Sequence, residues 1–219
     1  MALFLTETYP SSNSLIIYRD NNKKESDLAD LFYSEFDSLS NHTSISKINY
    51  SKAGFNDLKS KLVKTKRNLL VIPTSDESYL SSLLTKLAEL KDYNFIVAGL
   101  PTWEHFESID PVQLETFNTH IFNASFIDYK NATVKDFRKH FIETYHTDPL
   151  YIAFQAYDLV QWVQSNSDKT NADFEKLRLP STLTTNGIKP FKICKNCGFE
   201  NSAIAVLKYK DGLLVKVNH

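Results

Sequence analysis

The stretch Asn68-Leu69-Leu70-Val71-Ile72-Pro73-Thr74-Ser75-Asp76 decides the fold class of this chain. Its continuous apolar run is typical of a strand that is buried on both faces of a parallel sheet. The hydroxyl and carboxylate oxygens that follow are N-cap groups, and they predict that a helix begins directly after the strand. The stretch therefore indicates a strand that leads into a helix, the repeating unit of an α/β protein.

The same order of strand and helix is repeated on both sides of this stretch. Short apolar runs predict further strands at residues 15–18, 45–50 and 95–98. The intervening segments place apolar residues at the i, i+3, i+4 spacing of amphipathic helices. These helical segments are residues 25–39, 55–63 and 79–90. The alternation predicts a doubly wound, mainly parallel sheet with helices on both faces and right-handed connections.

The second part of the chain has a different pattern. Residues 121–126 predict a strand, and residues 134–145 and 151–164 predict two helices. The turn Lys210-Asp211-Gly212 between two apolar runs predicts an antiparallel hairpin near the C-terminal end.

We therefore expect two regions. Residues 1–120 form an α/β lobe of a clamshell binding protein, and residues 121–219 form crossover helices and antiparallel strands that complete the lobes.

The composition and the absence of several motifs exclude whole classes of function. Lys+Arg 25 against Asp+Glu 26 gives a net charge of −1, so there is no basic excess for nucleic acid. The apolar runs are too short to span a bilayer. The sequence contains no GxGxxG, P-loop, HExxH or GxSxG pattern, so it offers no support for a cofactor, a metal or a catalytic nucleophile. We predict that the protein is not an enzyme.

The only cysteines, Cys194 and Cys197, form a lone Cys-x-x-Cys pair. A zinc site needs four ligands, and no second pair is present in the sequence. A redox pair would stand at the start of a helix, whereas this one lies between strand-like runs in a turn. We prefer structural or incidental thiols to a redox role or a metal site, and we predict that the pair holds no metal.

Polar and aromatic residues follow the predicted parallel strands at their carboxyl ends, where open α/β sheets bind ligands. Trp103 offers a flat apolar face, and Glu104 is suited to neutralising an amino group. The helix that begins after Asp76 offers free N–H groups for an anion. The predicted ligand-binding residues are Tyr18, Asp20, Thr74, Ser75, Asp76, Thr102, Trp103 and Glu104. The alternative is that the residues at 74–76 are only helix caps and that Trp103 fills a gap under a loop.

The most specific pattern is Val134-x-x-Phe137-x-x-x-Phe141-x-x-x-Tyr145-x-x-x-Pro149, followed by Ala153-x-x-Ala156-Tyr157-Asp158. Together with the strands at 15–18, 68–75 and 95–99, it resembles the second half of a type I periplasmic binding protein. The similarity is to the leucine/isoleucine/valine-binding and receptor-family ligand-binding kind, and it covers residues 14–164. Chains of this kind in the Bacteroidetes often adjoin peptidoglycan-binding LysM repeats, so the chain also resembles a LysM-associated member, although it contains no such repeat.

The resemblance implies a transport- or sensor-associated binding protein, periplasmic or otherwise extracytoplasmic. Such a protein binds a small solute, an amino acid or a cell-wall-derived fragment, in a cleft between two lobes. Its partners would include a membrane transporter of the ABC type or peptidoglycan. Two ligand-contacting turns of the family correspond to Ser75-Asp76 and to residues 102–104, although both are bulkier here than the family's glycine-rich turns. The alternatives are a partner-binding or structural cell-wall domain with a degenerate cleft, and a small α/β enzyme.

The resemblance also implies that a first lobe is missing. The predicted helix at 151–164 is apolar on nearly all sides, which is typical of a buried helix. We therefore expect that the chain is a fragment of a longer exported protein. Its second-half helices would then fold back on the sheet or be covered by a second copy, which predicts a homodimer through residues 151–164.

Overall fold

The computed structural model describes residues 1–39, 45–124, 126–167, 183–185, 190–192, 199–201 and 203–217. Cys194 and Cys197 lie outside the described residues. The chain divides into two compact units. The first is Met1–Phe122 together with the chain from Val206 onward, and the second is Asn123–Ala205.

The strands are β1 (Asn13–Tyr18), β2 (Ile45–Asn49), β3 (Arg67–Val71), β4 (Asn94–Gly99), β5 (His120–Asn123), β6 (Pro190–Lys192), β7 (Phe199–Asn201), β8 (Ala205–Lys210) and β9 (Leu213–Lys216). The helices are α1 (Ala2–Thr8), α2 (Lys23–Leu39), α3 (Tyr50–Lys61), α4 (Glu77–Ala88), α5 (Pro111–Thr116), α6 (Ala132–Tyr145) and α7 (Tyr151–Ser165), with a 3-10 helix at Pro101–His105. Among the helices of the described segments, none combines the length and the apolar content needed to cross a membrane.

The main sheet has the strand order β2-β1-β3-β4-β5-β8-β9. Strands β2, β1, β3, β4 and β5 are parallel, with Ile16 opposite Val71 and Val71 opposite Ala98. The predicted parallel sheet is therefore confirmed. Strands β8 and β9 form the predicted antiparallel hairpin, whose turn residues Asp211 and Gly212 both have positive φ. That backbone conformation is the one that two-residue hairpin turns favour.

The core of the first unit lies on both faces of this sheet. Successive strand residues point to opposite faces, and both sets are buried. One face carries Ile16, Leu69, Val71, Ile96 and Ala98, packed with residues of α1 and α2. The opposite face carries Leu15, Ile17, Leu70, Ile72 and Val97, each at most 2% exposed. The leucines of α4 at 80, 83, 84 and 87 are equally buried. This double burial explains why the strands read as continuous apolar runs.

The second unit is built around α6 and α7. The ring of Phe137 lies 4.9 Å from that of Phe154 and 4.7 Å from that of Tyr157, measured between centroids. Asp158 of α7 is 2% exposed. Its carboxylate accepts hydrogen bonds from the backbone N–H and the hydroxyl of both Thr184 and Thr185. These donors replace the water that a buried carboxylate loses.

The apolar sequence of α7 predicted a helix that is buried on all sides. The structure corrects this prediction. Phe154 is fully buried, whereas Ile152, Leu159, Val160 and Val163 are each more than 50% exposed. The apolar side that faces away from Phe154 is therefore open to solvent.

Candidate functional site

The turns that follow β1, β3 and β4 meet at the carboxyl edge of the sheet, as the sequence predicted. The indole Nε1 of Trp103 donates a hydrogen bond of 2.7 Å to the carbonyl oxygen of Thr74, which joins the turns after β4 and β3. Arg19 Nη1 donates to Asp76 Oδ2 at 2.9 Å, which joins the turns after β1 and β3. That these residues contact a ligand stays a prediction.

Arg19, which was not among the predicted site residues, is the centre of this edge. Its Nε donates to Glu25 Oε2 at 3.1 Å, and its Nη2 donates to Glu25 Oε1 and to Thr74 Oγ1. Its guanidinium carbon lies 4.1 Å from the centroid of the Tyr79 ring, a cation–π distance. We call Arg19, Glu25, Thr74, Asp76 and Tyr79 the carboxyl-edge cluster.

Glu25 is a buried charge, with a side chain only 2% exposed. Besides Arg19, the hydroxyl of Thr74 donates to its Oε1 at 2.6 Å. It also stands in the first turn of α2, where the helix dipole favours a negative charge. The hydrogen bond to Glu25 is the main reason that the pKa of Arg19 is raised above its usual value. The guanidinium of Arg19 therefore stays positively charged beside this carboxylate.

Asp76 already occupies the helix N-terminus that the sequence offered to a ligand anion. Its Oδ1 accepts the backbone N–H of Tyr79 at 3.0 Å. This hydrogen bond, followed by that from Arg19, lowers the pKa of Asp76. The expectation of free N–H groups at this position is corrected to this extent, because a side chain of the protein caps the helix.

Trp103 does not offer the flat apolar face that was expected, because the side chain is 1% exposed. Its ring packs against the backbone of Gly99, and its indole N–H donates to the carbonyl oxygen of Thr74. Thr74 is also buried. The interpretation of Trp103 as a filler under a loop is the one that the structure supports.

The remaining predicted residues lie at the surface or near it. Ser75 and Thr102 are exposed. Asp20 pairs with Lys52 at 2.7 Å. Tyr18 is half-buried and packs against the core. Glu104 is half-buried. The pKa of Tyr209 is raised to about 12, mainly by the burial of Tyr209 and to a smaller extent by the electrostatic effect of Glu104.

Two buried polar atoms at this edge have no hydrogen-bond partner among the described residues. They are the hydroxyl oxygen of Tyr79 and Oδ1 of Asn49. The rings of Tyr79 and Tyr50 meet edge-on, 5.4 Å apart. Burial raises the pKa of Tyr79, so its hydroxyl is protonated and able to donate.

Sequence reasoning missed Arg19, Glu25 and Tyr79. Two signals were available: Arg19 directly follows a buried strand, and Glu25 stands in the first turn of the next helix. The contacts of Arg19 with Thr74, Asp76 and Tyr79 were not visible, because they depend on a pairing between β1 and β3 that a single sequence does not specify.

Comparison with known proteins gives matches in structure only. No protein-family model matches the sequence, and no curated protein matches it either. An ABC transporter substrate-binding protein from Desulfitobacterium hafniense, solved in complex with Leu, is 13% identical over 99% of this chain and 63% of its own, with a TM-score of 0.57. The leucine-binding protein LivK from Thermotoga maritima is 12% identical over 100% of this chain and 63% of its own, with a TM-score of 0.52.

A third similar structure is that of a regulator rather than of a solute-binding protein. The C-domain of LpoA from Haemophilus influenzae, a regulator of PBP1A, is 12% identical over 99% of this chain and 64% of its own, with a TM-score of 0.55. The chain therefore spans less than two thirds of the length of each of these structures. The suggested origin in a LysM-associated Bacteroidetes protein stays a prediction. The strand order, the parallel register and these matches together show that the chain has the type I periplasmic-binding-protein fold.

Proposed function

We propose that this chain is a non-catalytic binding domain of an extracytoplasmic protein and that the carboxyl-edge cluster is its recognition surface. The observation that carries the proposal is the charge of this cluster. Two carboxylates, Glu25 and Asp76, surround the single guanidinium of Arg19. The excess negative charge is accessible at Asp76, whose side chain is 43% exposed.

A ligand with an ammonium group fits this charge. Asp76 accepts one hydrogen bond at each oxygen, from Tyr79 and from Arg19, and a carboxylate has lone pairs for more. The hydroxyls of Ser75 and Thr102 are exposed in the two adjoining turns. The lowered pKa of Asp76 keeps it ionised at neutral pH. It is thus suited to holding a cation rather than to donating a proton, which supports a binding role over acid catalysis.

A free amino acid matches this surface less well than an amine does. Its carboxylate would need donors, but Asp76 caps the N-terminus of α4 and all three nitrogens of the Arg19 guanidinium already donate to Glu25, Thr74 or Asp76. Our first candidate ligand is therefore a small solute that carries an amino group without a neighbouring carboxylate, such as an amino-sugar fragment of the cell wall. In this first candidate function, the chain delivers the bound solute to a membrane transporter.

The second candidate is a partner-binding domain whose cluster is purely structural. It is favoured by the closure of the cluster on itself, since Arg19, Glu25 and Thr74 satisfy one another. The fold that this chain shares with the C-domain of LpoA is compatible with such a role.

Thermal shift measurements with wild-type protein and with Asp76→Asn test the first candidate. The panel is glucosamine, its neutral N-acetyl form, muropeptides and the common amino acids. Asparagine retains the helix cap but removes the charge. We expect glucosamine to raise the melting temperature of the wild type and not of Asp76→Asn, because a ligand at a hundred times its Kd stabilises by about 2.7 kcal/mol.

The matched control is Asp92→Asn, which removes a carboxylate of an exposed pair with Lys64. It should respond like the wild type. A response that survives in Asp76→Asn contradicts the proposed surface. A panel without any response contradicts the solute role and favours the partner-binding candidate.

A further inference from the structure

A cavity of about 670 Å³ lies at the opposite end of the sheet from the carboxyl-edge cluster. The amino ends of β3 and β4 form one side of it, because Arg67 and Asn94 are register partners at the first positions of these strands. The end of α4, the end of α5 and Tyr9 form the rest. Nothing at the carboxyl edge contributes to this cavity, so any ligand here would bind independently of that edge.

The cations of this cavity have no acidic partner among the residues that the structure describes. Arg67 and Lys91 line it, and no acidic residue is among its lining residues. Within the described segments, neither cation forms an ion pair, whereas Lys64 close by in sequence is paired with Asp92. A smaller adjoining cavity of about 390 Å³ shares Tyr9 and Arg67 and adds Lys66, again without an acidic lining residue. Both cavities therefore favour an anion.

The wall beside these cations is aromatic. The rings of Tyr93 and Phe95 are stacked with centroids 6.2 Å apart, and Phe95 lies 5.8 Å from Phe117. Tyr93 and Phe95 are only half-buried, so parts of both rings remain accessible. Asn118 also lines the cavity, and its side-chain amide donates a hydrogen bond of 3.2 Å to the hydroxyl of Tyr9, a second neutral polar lining residue. Apolar walls with a few placed polar groups are typical of sites for small organic molecules, and the volume lies in their usual range.

We propose that this amino-end cavity binds a small organic acid: a carboxylate attached to an apolar body about the size of one ring. The guanidinium of Arg67, with its planar set of donors, pairs with the carboxylate, and Lys91 adds a second positive charge. The apolar body lies against Tyr93 and Phe95. The inference does not depend on the function proposed above, since it uses none of the same residues.

An NMR titration of the 219-residue chain tests the proposal, with phenylacetate as the probe. Two matched ligands separate the contributions: phenylacetamide has the ring without the charge, and acetate has the charge without the ring. We expect amide shift changes confined to residues 9, 67, 91–95 and 113–118. Phenylacetate should bind at least tenfold more tightly than either matched ligand.

Substitutions complete the test. Arg67→Gln should weaken the binding of phenylacetate at least tenfold and Lys91→Gln severalfold, with both spectra still those of a folded protein. Lys59→Gln removes an exposed lysine of α3 elsewhere and should change nothing. Asp76→Asn should also leave this binding intact, which separates a failure here from a failure at the carboxyl edge. Equal binding of phenylacetate and phenylacetamide, or unchanged binding by both Arg67→Gln and Lys91→Gln, would overturn the proposal.

Discussion

A Cβ atom placed on Gly99 would lie 2.3 Å from Cε3 of Trp103, closer than any real contact of this kind. The indole ring therefore occupies the space that a side chain at the end of β4 would need. Trp103 is held in this position by its hydrogen bond to Thr74. A single small residue thus allows the turn after β4 to pack onto the turn after β3.

Gly99→Ala should destabilise the first unit by about 1–3 kcal/mol, the usual cost of forcing extra atoms into a packed site. Urea denaturation measures the change. The double variant Gly99→Ala/Trp103→Phe should lose less than the sum of the two single variants, because the smaller ring leaves room for the methyl group. Unchanged stability in Gly99→Ala would contradict the close packing of these two residues.

Arg19→Ala should cost about 3–5 kcal/mol of unfolding free energy, because it leaves the buried carboxylate of Glu25 without its charge partner. Chemical denaturation at neutral pH is the measurement. Adding Glu25→Gln to Arg19→Ala should restore part of the loss by removing the unpaired charge. Lys64→Ala, which breaks an exposed pair, serves as the control and should have no measurable effect. A similar loss in Arg19→Ala and in Lys64→Ala would show that Arg19 and Glu25 do not form a buried ion pair in solution.

The fold followed from the sequence because its signals are local. A continuous apolar run and the cap residues at 74–76 specify a buried strand and a following helix without distant information. The carboxyl-edge location of the predicted site followed from this order of elements. Its contents did not. Arg19 contacts residues 55 and 57 positions away, and the burial of Trp103 depends on a gap beside Gly99. Both features are properties of packing rather than of spacing.

His120 makes the stability of the first unit depend on pH. Burial lowers its pKa from 6.5 to about 4, although its hydrogen bond to the backbone of Asn118 acts in the opposite direction. Below pH 6.5 the unfolded chain therefore binds a proton that folded His120 does not accept. The stability is fully present above pH 6.5 and falls as the pH is lowered toward 4, by about 1.4 kcal/mol per pH unit and about 3 kcal/mol in all.

Paired denaturation curves at pH 7.5 and 4.5 for the wild type and His120→Gln isolate this effect from that of the carboxylates. The wild type should lose about 2–3 kcal/mol more than the variant between these two values. Parallel losses in both proteins would show that His120 titrates normally in the folded state.

The exposed apolar side of α7 predicts self-association. Leu159, Val160 and Val163 are each more than half exposed, and apolar patches of this kind on soluble proteins commonly mark interfaces. We expect light scattering to show a dimer at micromolar concentration and Val160→Glu to convert it to a monomer. Thr144→Glu adds the same charge at an exposed polar position of α6, outside this face, and should leave the dimer intact. A wild-type monomer across the whole concentration range would refute the dimer.

The place of β8 next to β5 in the sheet affects how the chain can fold during its synthesis. The ribosome completes β5 at Asn123 and reaches β8 only at Ala205. Those roughly 80 intervening residues take on the order of 4 to 16 s to translate. During that time the outer edge of β5 presents unpaired N–H and C=O groups, the kind of edge that recruits strands from other chains. A chain released from the ribosome with its end within residues 124–204 would therefore carry an open sheet edge, and addition of the hairpin formed by β8 and β9 is the step that removes this aggregation hazard.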